Sequence, residues 1–93
     1  MNERKVIWPE PILGKLHSFS SEHYTAEESY DHIVQFILET EDLLLNPVIG
    51  KTYTEEFGEF KGLTRIVVKR FRVYYKAIDD LIVIAAVCFP GEQ

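Results

Sequence analysis

A block of positive charge in the last third of the chain is the part of the sequence best suited to chemistry. Six cationic residues fall within residues 61–76 with no acidic residue among them, and they are Lys61, Arg65, Lys69, Arg70, Arg72 and Lys76. Arginine offers a planar fork that binds phosphate or carboxylate through two hydrogen bonds, whereas lysine acts as a point charge. We therefore predict an anion-binding or partner-binding surface formed by Arg65, Lys69, Arg70, Arg72, Tyr74 and Lys76.

Such a surface cleaves RNA only if it also transfers protons. Cleavage needs one group that accepts the proton of the attacking hydroxyl and another that donates a proton to the leaving oxygen. The ordinary pKa of lysine is about 10.4 and that of tyrosine about 10, so neither is a ready base at neutral pH. Arg72 is therefore a catalytic candidate only if the chain is a nuclease. A structural or partner-contacting role stays open for the whole set.

The other reactive side chains do not predict a second site. His17, His23 and His32 are six and nine residues apart, whereas a metal-binding pair on a helix needs a spacing of four, so we expect three helix-surface histidines. Cys88 lies between two apolar residues and is predicted to fill space in the core. No metal and no cofactor is predicted. Three glutamates are predicted to lie in a solvated loop, and these are Glu55, Glu56 and Glu59.

The charge balance argues against avid binding to nucleic acid. The formal net charge of the 93 residues is −5 at pH 7, whereas proteins that neutralise many phosphates are usually basic. The charge is uneven, because residues 20–60 hold ten acidic residues against one lysine, Lys51. A chain of this length is predicted to be one domain, residues 1–93.

The single cysteine cannot form an internal disulfide, and no apolar stretch follows the charged N-terminus. We therefore predict a cytoplasmic protein without a signal peptide. The longest apolar run, from Leu81 to Phe89, has nine residues, whereas a membrane-spanning helix needs about 20. No membrane association is predicted.

Apolar spacing predicts one short strand and two helices before the basic block. The strand covers residues 5–8, and the first helix covers residues 10–23. The second helix runs from 26 to about 45, because Thr25 and Glu28 have the spacing of a capping box. Its predicted apolar stripe consists of Tyr30, Ile33, Val34, Ile37, Leu38, Leu44 and Leu45.

Residues 48–62 have no strong periodicity and predict loops. Residues 48–51 are the first of these loops, and Phe57 and Phe60 are predicted to anchor a later turn in the core. Two apolar surfaces stand outside the expected core. Phe36 and Leu43 lie off the helix stripe, and Tyr74 is expected on the open sheet face with Ile82 or Ile84. Either a partner segment covers these surfaces or the core is broader than the pattern indicates.

Apolar runs separated by polar pairs predict three strands, at residues 63–68, 71–78 and 81–87. Side chains alternate between the two faces of a strand. In the middle strand, Phe71, Val73, Tyr75 and Ala77 are expected to meet the helices, and Arg72, Tyr74 and Lys76 to face away. The predicted fold class is α+β, with an N-terminal helical hairpin packed on one face of a small, mainly antiparallel sheet to which the first strand adds.

The order of these features resembles the RelE/ParE superfamily of bacterial toxins from toxin–antitoxin pairs. The middle predicted strand is similar to the family's strand of tyrosine, arginine, two hydrophobic residues and tyrosine. The likeness covers nearly the whole domain. The matching segments are Val6-Ile7-Trp8, Asn46-Pro47-Val48-Ile49-Gly50-Lys51, Arg65, Phe71-Arg72-Val73-Tyr74-Tyr75 and Asp79-Asp80-Leu81-Ile82-Val83-Ile84.

The resemblance implies a growth-inhibiting, plasmid-stabilising toxin. The ParE-like activity is inhibition of a protein target such as DNA gyrase, with a cognate antitoxin that wraps and neutralises the toxin. The alternatives are a RelE-like ribosome-dependent mRNA endoribonuclease, in which Arg72 would contact the reacting phosphate, and a degenerate, non-catalytic binding module. A homodimer or a hetero-oligomer with the antitoxin is also implied.

The end of the chain departs from the nuclease pattern. RelE-like nucleases carry a further arginine after the last strand and a tyrosine or histidine near the C-terminus. Here residues 88–93 read Cys-Phe-Pro-Gly-Glu-Gln and contain none of these. The departure favours the ParE-like interpretation over the enzyme.

Overall fold

The computed structural model describes residues 4–46 and 52–92 and shows an α+β fold with two helices and one five-stranded mixed sheet. The predicted loop at 48–51, with most of the Asn-Pro motif, lies outside the described residues. None of the helices in the described ranges is long and apolar enough to cross a membrane. The elements are β1 (Lys5–Ile7), α1 (Glu10–His17), α2 (Ala26–Leu45), β2 (Tyr53–Thr54), β3 (Thr64–Val68), β4 (Phe71–Ile78) and β5 (Leu81–Cys88).

The sheet has the strand order β1-β5-β4-β3-β2, in which only the β1–β5 pairing is parallel. The predictions of a mainly antiparallel sheet and of a first strand that pairs with the meander are therefore confirmed. The bounds of the three predicted strands are correct to within one residue. The two-residue strand β2 was not predicted, because a segment that short has no periodicity to read.

Two tight turns connect β3, β4 and β5. Lys69 and Arg70 have φ angles of 50° and 70°, and Asp79 has a φ of 53°. Two-residue hairpins use this left-handed backbone because its twist matches that of the flanking strands. The turn predicted at Asp79-Asp80 is confirmed.

The first helix is shorter than predicted, since it ends at His17 rather than at residue 23. The backbone N–H of Ser18 donates to the carbonyl of Lys15 at 3.0 Å, and the Ser18 hydroxyl donates to the same oxygen at 2.6 Å. These bonds tighten the last turn and satisfy carbonyls that the helix leaves free. His23 therefore lies in the connection between the helices, and its prediction as a helix-surface residue is wrong.

The second helix has the predicted bounds but a different buried face. Its capping box is present: Glu28 N–H donates to Thr25 Oγ1 at 3.1 Å and Thr25 N–H donates to Glu28 Oε1 at 2.9 Å. Thr40 can be buried because its hydroxyl donates to the Phe36 carbonyl at 2.7 Å, so the hydroxyl is not left without a hydrogen-bond partner. Three members of the predicted stripe are instead exposed, namely Tyr30, Leu38 and Leu45. The residues that are buried are Ser29, Ile33, Phe36, Thr40 and Leu44.

The core lies between the helices and one face of the sheet. Phe36, which lies off the predicted stripe, is fully buried and stacks on Phe71 of β4 with 4.4 Å between ring centroids. Leu43 packs against the same core. Of the two alternatives for these helix residues, a broader core is confirmed, and neither residue needs a partner segment to cover it.

A β-bulge in β5 decides which of its side chains reach this core. Tyr74 pairs with Ala86 and Tyr75 with Ile84, so Ala85 has no opposite residue. The extra residue restores Val87 to the face that carries Ile84. Ile82 and Ile84 are buried on the helix side, and the expectation that one of them accompanies Tyr74 on the open face is wrong.

Candidate functional site

Three of the predicted binding residues share the sheet face opposite the helices. Arg65 pairs with Tyr74, and Val67 pairs with Arg72, across strands β3 and β4. Directly opposed residues of antiparallel strands project to the same side, so Arg65, Arg72 and Tyr74 lie together as predicted. They line a concavity of about 580 Å³, which we call the sheet cleft. Its other principal walls are Lys15, Glu55, Phe60, Cys88 and Glu92.

A loop from β2 to β3 folds over one side of the sheet cleft. Glu55 N–H donates to the Leu63 carbonyl at 3.0 Å, and Gly62 N–H donates to the Glu55 carbonyl at 2.9 Å, which closes the loop. Gly62 has a φ of 87°, a conformation that residues with a Cβ rarely adopt. Phe60 stacks on Tyr74 with 4.1 Å between ring centroids. Tyr74 is consequently only 3% exposed, although it was predicted on an open surface.

The loop aromatics are placed differently from the prediction. Phe60 packs on the face away from the helices, and Phe57 is largely exposed. Neither residue belongs to the main core. Phe60 therefore anchors the loop to Tyr74 in the sheet cleft rather than to the core, and the prediction that Phe57 is an anchor is wrong.

Arg65 is held by the loop as well. Its Nη1 atom lies 3.2 Å from Glu55 Oε1, and its guanidinium lies over the Tyr53 ring at 5.0 Å from the centroid. The Glu55 side chain is only 18% exposed, so it is not the solvated carboxylate predicted from the sequence. The pair neutralises one of the six cations of the basic block.

Arg72 contacts the segment that follows β5. Its Nη2 atom donates to the backbone carbonyl of Glu92. The Glu92 carboxylate accepts from Lys15 Nζ at 2.8 Å and from the backbone N–H of Phe89 at 2.8 Å. Gly91, with a φ of 82°, allows the tight turn that brings Glu92 back to Phe89. One glutamate thus joins α1, β4 and the segment after β5.

These contacts favour the ionised form of Glu92. The hydrogen bond from Lys15 lowers the pKa of the Glu92 carboxyl, and the bond from the Phe89 N–H lowers it further, with smaller effects from the charges of Lys15 and Arg72. Slight burial opposes this shift. The contact is therefore an ion pair at neutral pH and weakens when acid protonates the carboxylate.

The other predicted cations lie elsewhere. Lys69 Nζ is 3.7 Å from Glu39 Oε1, so this lysine turns toward helix α2. Arg70 is exposed in the β3–β4 turn, and Lys76 is exposed near the far end of β4, opposite Val83. Only three of the six predicted residues, Arg65, Arg72 and Tyr74, therefore lie together, and the other three lie elsewhere.

The sheet cleft is suited to binding an anion more than to moving protons. Lys15, Arg65 and Arg72 supply three cations, but Glu55 and Glu92 already engage them. Among the residues that the structure describes, no histidine lines this cleft. Nor do the described ranges contain three His, Cys, Asp or Glu residues grouped to hold a metal ion. An incoming phosphate or carboxylate would have to replace Glu92 at Arg72 and Lys15.

The ion pairs of this cleft involve three residues that were not predicted as site residues, namely Lys15, Glu55 and Glu92. The first and last are 77 residues apart in the chain, so no local pattern connects them. For Glu55, the glycines at 58 and 62 are a usable signal, because glycine readily adopts the positive φ that tight turns require.

His32 also differs from the prediction of an exposed helix histidine. It is half-buried in α2 and stacks on Phe19 with 5.6 Å between ring centroids, near Tyr24 and Phe71. Burial lowers its pKa, the charge of Lys69 lowers it further, and Glu39 partly opposes the change. At pH values above this lowered pKa, the His32 side chain is therefore neutral and serves as a packing residue.

Comparison with known proteins gives no match: no family model fits the sequence, and no curated protein or solved structure is significantly similar. The functional argument therefore depends on the residues and geometry of this chain.

Proposed function

We propose that this chain is a ParE-like toxin component of a toxin–antitoxin pair, which inhibits a protein target such as DNA gyrase and is neutralised by a cognate antitoxin. Support comes from the order of elements, with one strand, a helical hairpin and a three-strand meander. The helices cover one face of the sheet, and the first strand joins the last in parallel. These are the features on which the RelE/ParE resemblance depends.

One observation favours target binding over RNA cleavage. Arg72 lies in a cleft that no described histidine lines, and two of the three carboxylates that line it, Glu55 and Glu92, are in ion pairs. The third, Glu59, is exposed on the loop. A group that accepts a proton at neutral pH must be free to do so. The arrangement suits a surface that recognises a partner through arginine and shape.

A second candidate, a RelE-like endoribonuclease, is favoured by the position of Glu55. Its carboxylate is largely shielded from solvent and lies between the loop and Arg65. If mRNA displaced Arg65 from this pair, Glu55 would be free to act as a base beside Arg72. A degenerate binding module of the same fold remains the third candidate, because three cations of the sheet cleft are already engaged within the chain.

The experiment is induced expression of the wild type, Arg72→Ala and a matched control, Lys5→Ala, in bacteria that carry a DNA-damage reporter. Lys5 is an exposed cation on β1. We expect growth arrest and reporter induction by the wild type and by Lys5→Ala, and loss of both with Arg72→Ala. Co-expression of the neighbouring reading frame should restore growth if it encodes the antitoxin.

Three results separate the candidates. Inhibition of purified gyrase without new mRNA ends on programmed ribosomes supports the ParE-like proposal. New ends in the ribosomal A site overturn it in favour of the nuclease. Harmless expression of a chain shown to be folded by circular dichroism overturns both and leaves the binding module.

A further inference from the structure

The helical hairpin has an apolar groove on its outer side, between α1 and α2. Its volume is about 560 Å³, and we call it the hairpin groove. The residues used below to define it are Leu13 and His17 of α1, Tyr24 of the connection, and Tyr30, Val34 and Ile37 of α2. The sheet lies on the opposite side of the helices, so the groove is separate from the sheet cleft.

Large apolar side chains are exposed along this groove. Tyr30 is 60% exposed, and Leu13 and Tyr24 also have exposed side chains. A single exposed apolar residue is ordinary, but several contiguous ones around a concavity mark a surface that a partner covers. The groove therefore offers both a depression and the anchors beside it.

The spacing of this second apolar surface is helical. Tyr30, Val34, Ile37 and Leu38 follow the i, i+4, i+7, i+8 pattern; the first three line the groove, and Leu38 is 56% exposed. This stripe is displaced from the buried stripe of α2 by about one residue, or ~100° around the helix. Ile37 of this stripe also packs against the core, whereas Tyr30 and Leu38 remain exposed for a further contact.

Helix α2, which forms one wall of the groove, is acidic. Helix α2 has six acidic residues and no lysine or arginine. Glu28 serves as the cap and Glu39 faces Lys69, whereas Glu27, Asp31 and Glu41 lie beside the exposed stripe. The lysine of α1, Lys15, is bound to Glu92 on the other side. Within the described residues that line the groove, His17 is the one side chain able to carry positive charge.

We propose that the hairpin groove binds a partner protein through an amphipathic α-helix whose apolar stripe is flanked by lysine or arginine. An apolar groove between two helices accepts a third helix through anchors at i, i+3 or i+4, and i+7. The acidic residues of α2 select a basic segment, because opposite charges complement each other across an interface. A second copy of this chain would instead oppose acidic helix to acidic helix. The inference does not depend on the proposed toxin activity.

The test uses synthetic 15-residue peptides and the full chain. One peptide carries leucines in the helical pattern with lysines between them, a second replaces every lysine by glutamate, and a third has the first peptide's composition with the leucines scrambled. Fluorescence anisotropy measures the dissociation constants. We expect the patterned lysine peptide to bind, and the other two to bind at least about tenfold more weakly.

Matched variants locate the binding. Tyr30→Lys introduces a positive charge on the groove that repels the lysine peptide. Val67→Lys makes the same kind of change on β3, and the two side chains are equally exposed, at 60%. Tyr30→Lys should weaken binding about tenfold or more, and Val67→Lys should leave it unchanged. The double change Glu27→Lys and Asp31→Lys should reverse the preference toward the glutamate peptide.

The proposal is overturned if Tyr30→Lys and Val67→Lys bind the patterned peptide equally, if the scrambled peptide binds as tightly, or if no binding is seen at about 1 mM. Circular dichroism of each variant establishes that the helices are intact. The peptide test is made in vitro, so it is independent of the growth assay. If only the toxin proposal fails, expression of the chain is harmless but the chain still distinguishes the patterned lysine peptide from the other two. Failure of the groove proposal appears as lost discrimination with growth arrest retained.

Discussion

Phe36 and Leu38 lie two residues apart on the same helix but are expected to affect stability very differently. Phe36 is fully buried and contacts Phe71 and Trp8, with ring centroids 4.4 and 6.0 Å apart, whereas Leu38 is 56% exposed. Truncating a buried phenylalanine to alanine costs about 3–5 kcal/mol, because the apolar contact is lost and a cavity remains. A half-exposed leucine has about half of its transfer energy to lose, so Leu38→Ala should cost ~1 kcal/mol or less.

These values are large relative to the stability of a small domain, which is roughly 5–10 kcal/mol for a chain of this size. Urea unfolding followed by circular dichroism measures the difference. With an m-value of about 1.2 kcal/mol/M, Phe36→Ala should lower the midpoint by about 2.5–4 M and Leu38→Ala by less than about 1 M. If Phe36→Ala is unfolded without urea, Phe36→Leu retains most of the buried volume and should give a smaller, measurable decrease.

The reverse order would refute the placement of α2. A helix oriented by the apolar stripe read from the sequence would bury Leu38 and expose Phe36. A larger loss of stability for Leu38→Ala than for Phe36→Ala or Phe36→Leu would therefore mean that the helix presents that other face to the sheet.

Two further predictions concern α2 and its surroundings. Thr25→Ala removes the capping hydrogen bond to the Glu28 N–H and should lower the free energy of unfolding by about 1 kcal/mol, as measured by urea titration; an unchanged midpoint would mean that the cap contributes nothing. His32 has a lowered pKa in the folded state, so the unfolded chain binds its proton more readily, and stability should fall as the pH drops below about 6.5. Comparing urea midpoints at about pH 7.5 and 5.5 should show a smaller decrease for His32→Gln than for the wild type. Equal decreases would exclude His32 as the source.

The strands could be predicted because their signals are local. Runs of β-branched and aromatic residues are divided at Lys69-Arg70 and Asp79-Asp80, and both pairs form the turns. The turn geometry was less predictable, since lysine and arginine are not the residues that left-handed turns prefer. The bulge at Ala85 has no signal in a strand that is apolar throughout, yet it decides that Ile84 and Val87 share a face.

The buried face of α2 could not be predicted from the spacing of its apolar residues, because contacts with the rest of the fold decide which side chains are buried. Two polar residues, Ser29 and Thr40, are buried, while Tyr30 and Leu38 are exposed. Thr40 is tolerated because its hydroxyl bonds to the helix itself at the Phe36 carbonyl. The capping box, in contrast, involves residues three apart, and the sequence was sufficient to predict it.

The candidate site was predictable only in its strand residues. Alternation along β4 and pairing with β3 bring Arg65, Arg72 and Tyr74 to one face, and these rules need no tertiary information. The partners of the two arginines come from the β2–β3 loop and from the segment after β5. Such contacts join distant parts of the chain, so the sequence showed the cations but not their neutralisation.

That neutralisation changes where a charged partner is expected to approach. Arg65 and Lys69 are in ion pairs, and Arg72 is bonded to the Glu92 carbonyl, so the basic block presents less free charge than its sequence implies. The acids beside the exposed stripe of α2 have no lysine or arginine on their own helix. The electric field of unpaired charges acts over about 8–10 Å at physiological salt. The acidic helical hairpin should therefore attract a basic partner more strongly than the sheet cleft attracts an acidic one. A partner with a basic helix would then meet this chain on the helical side rather than at Arg72.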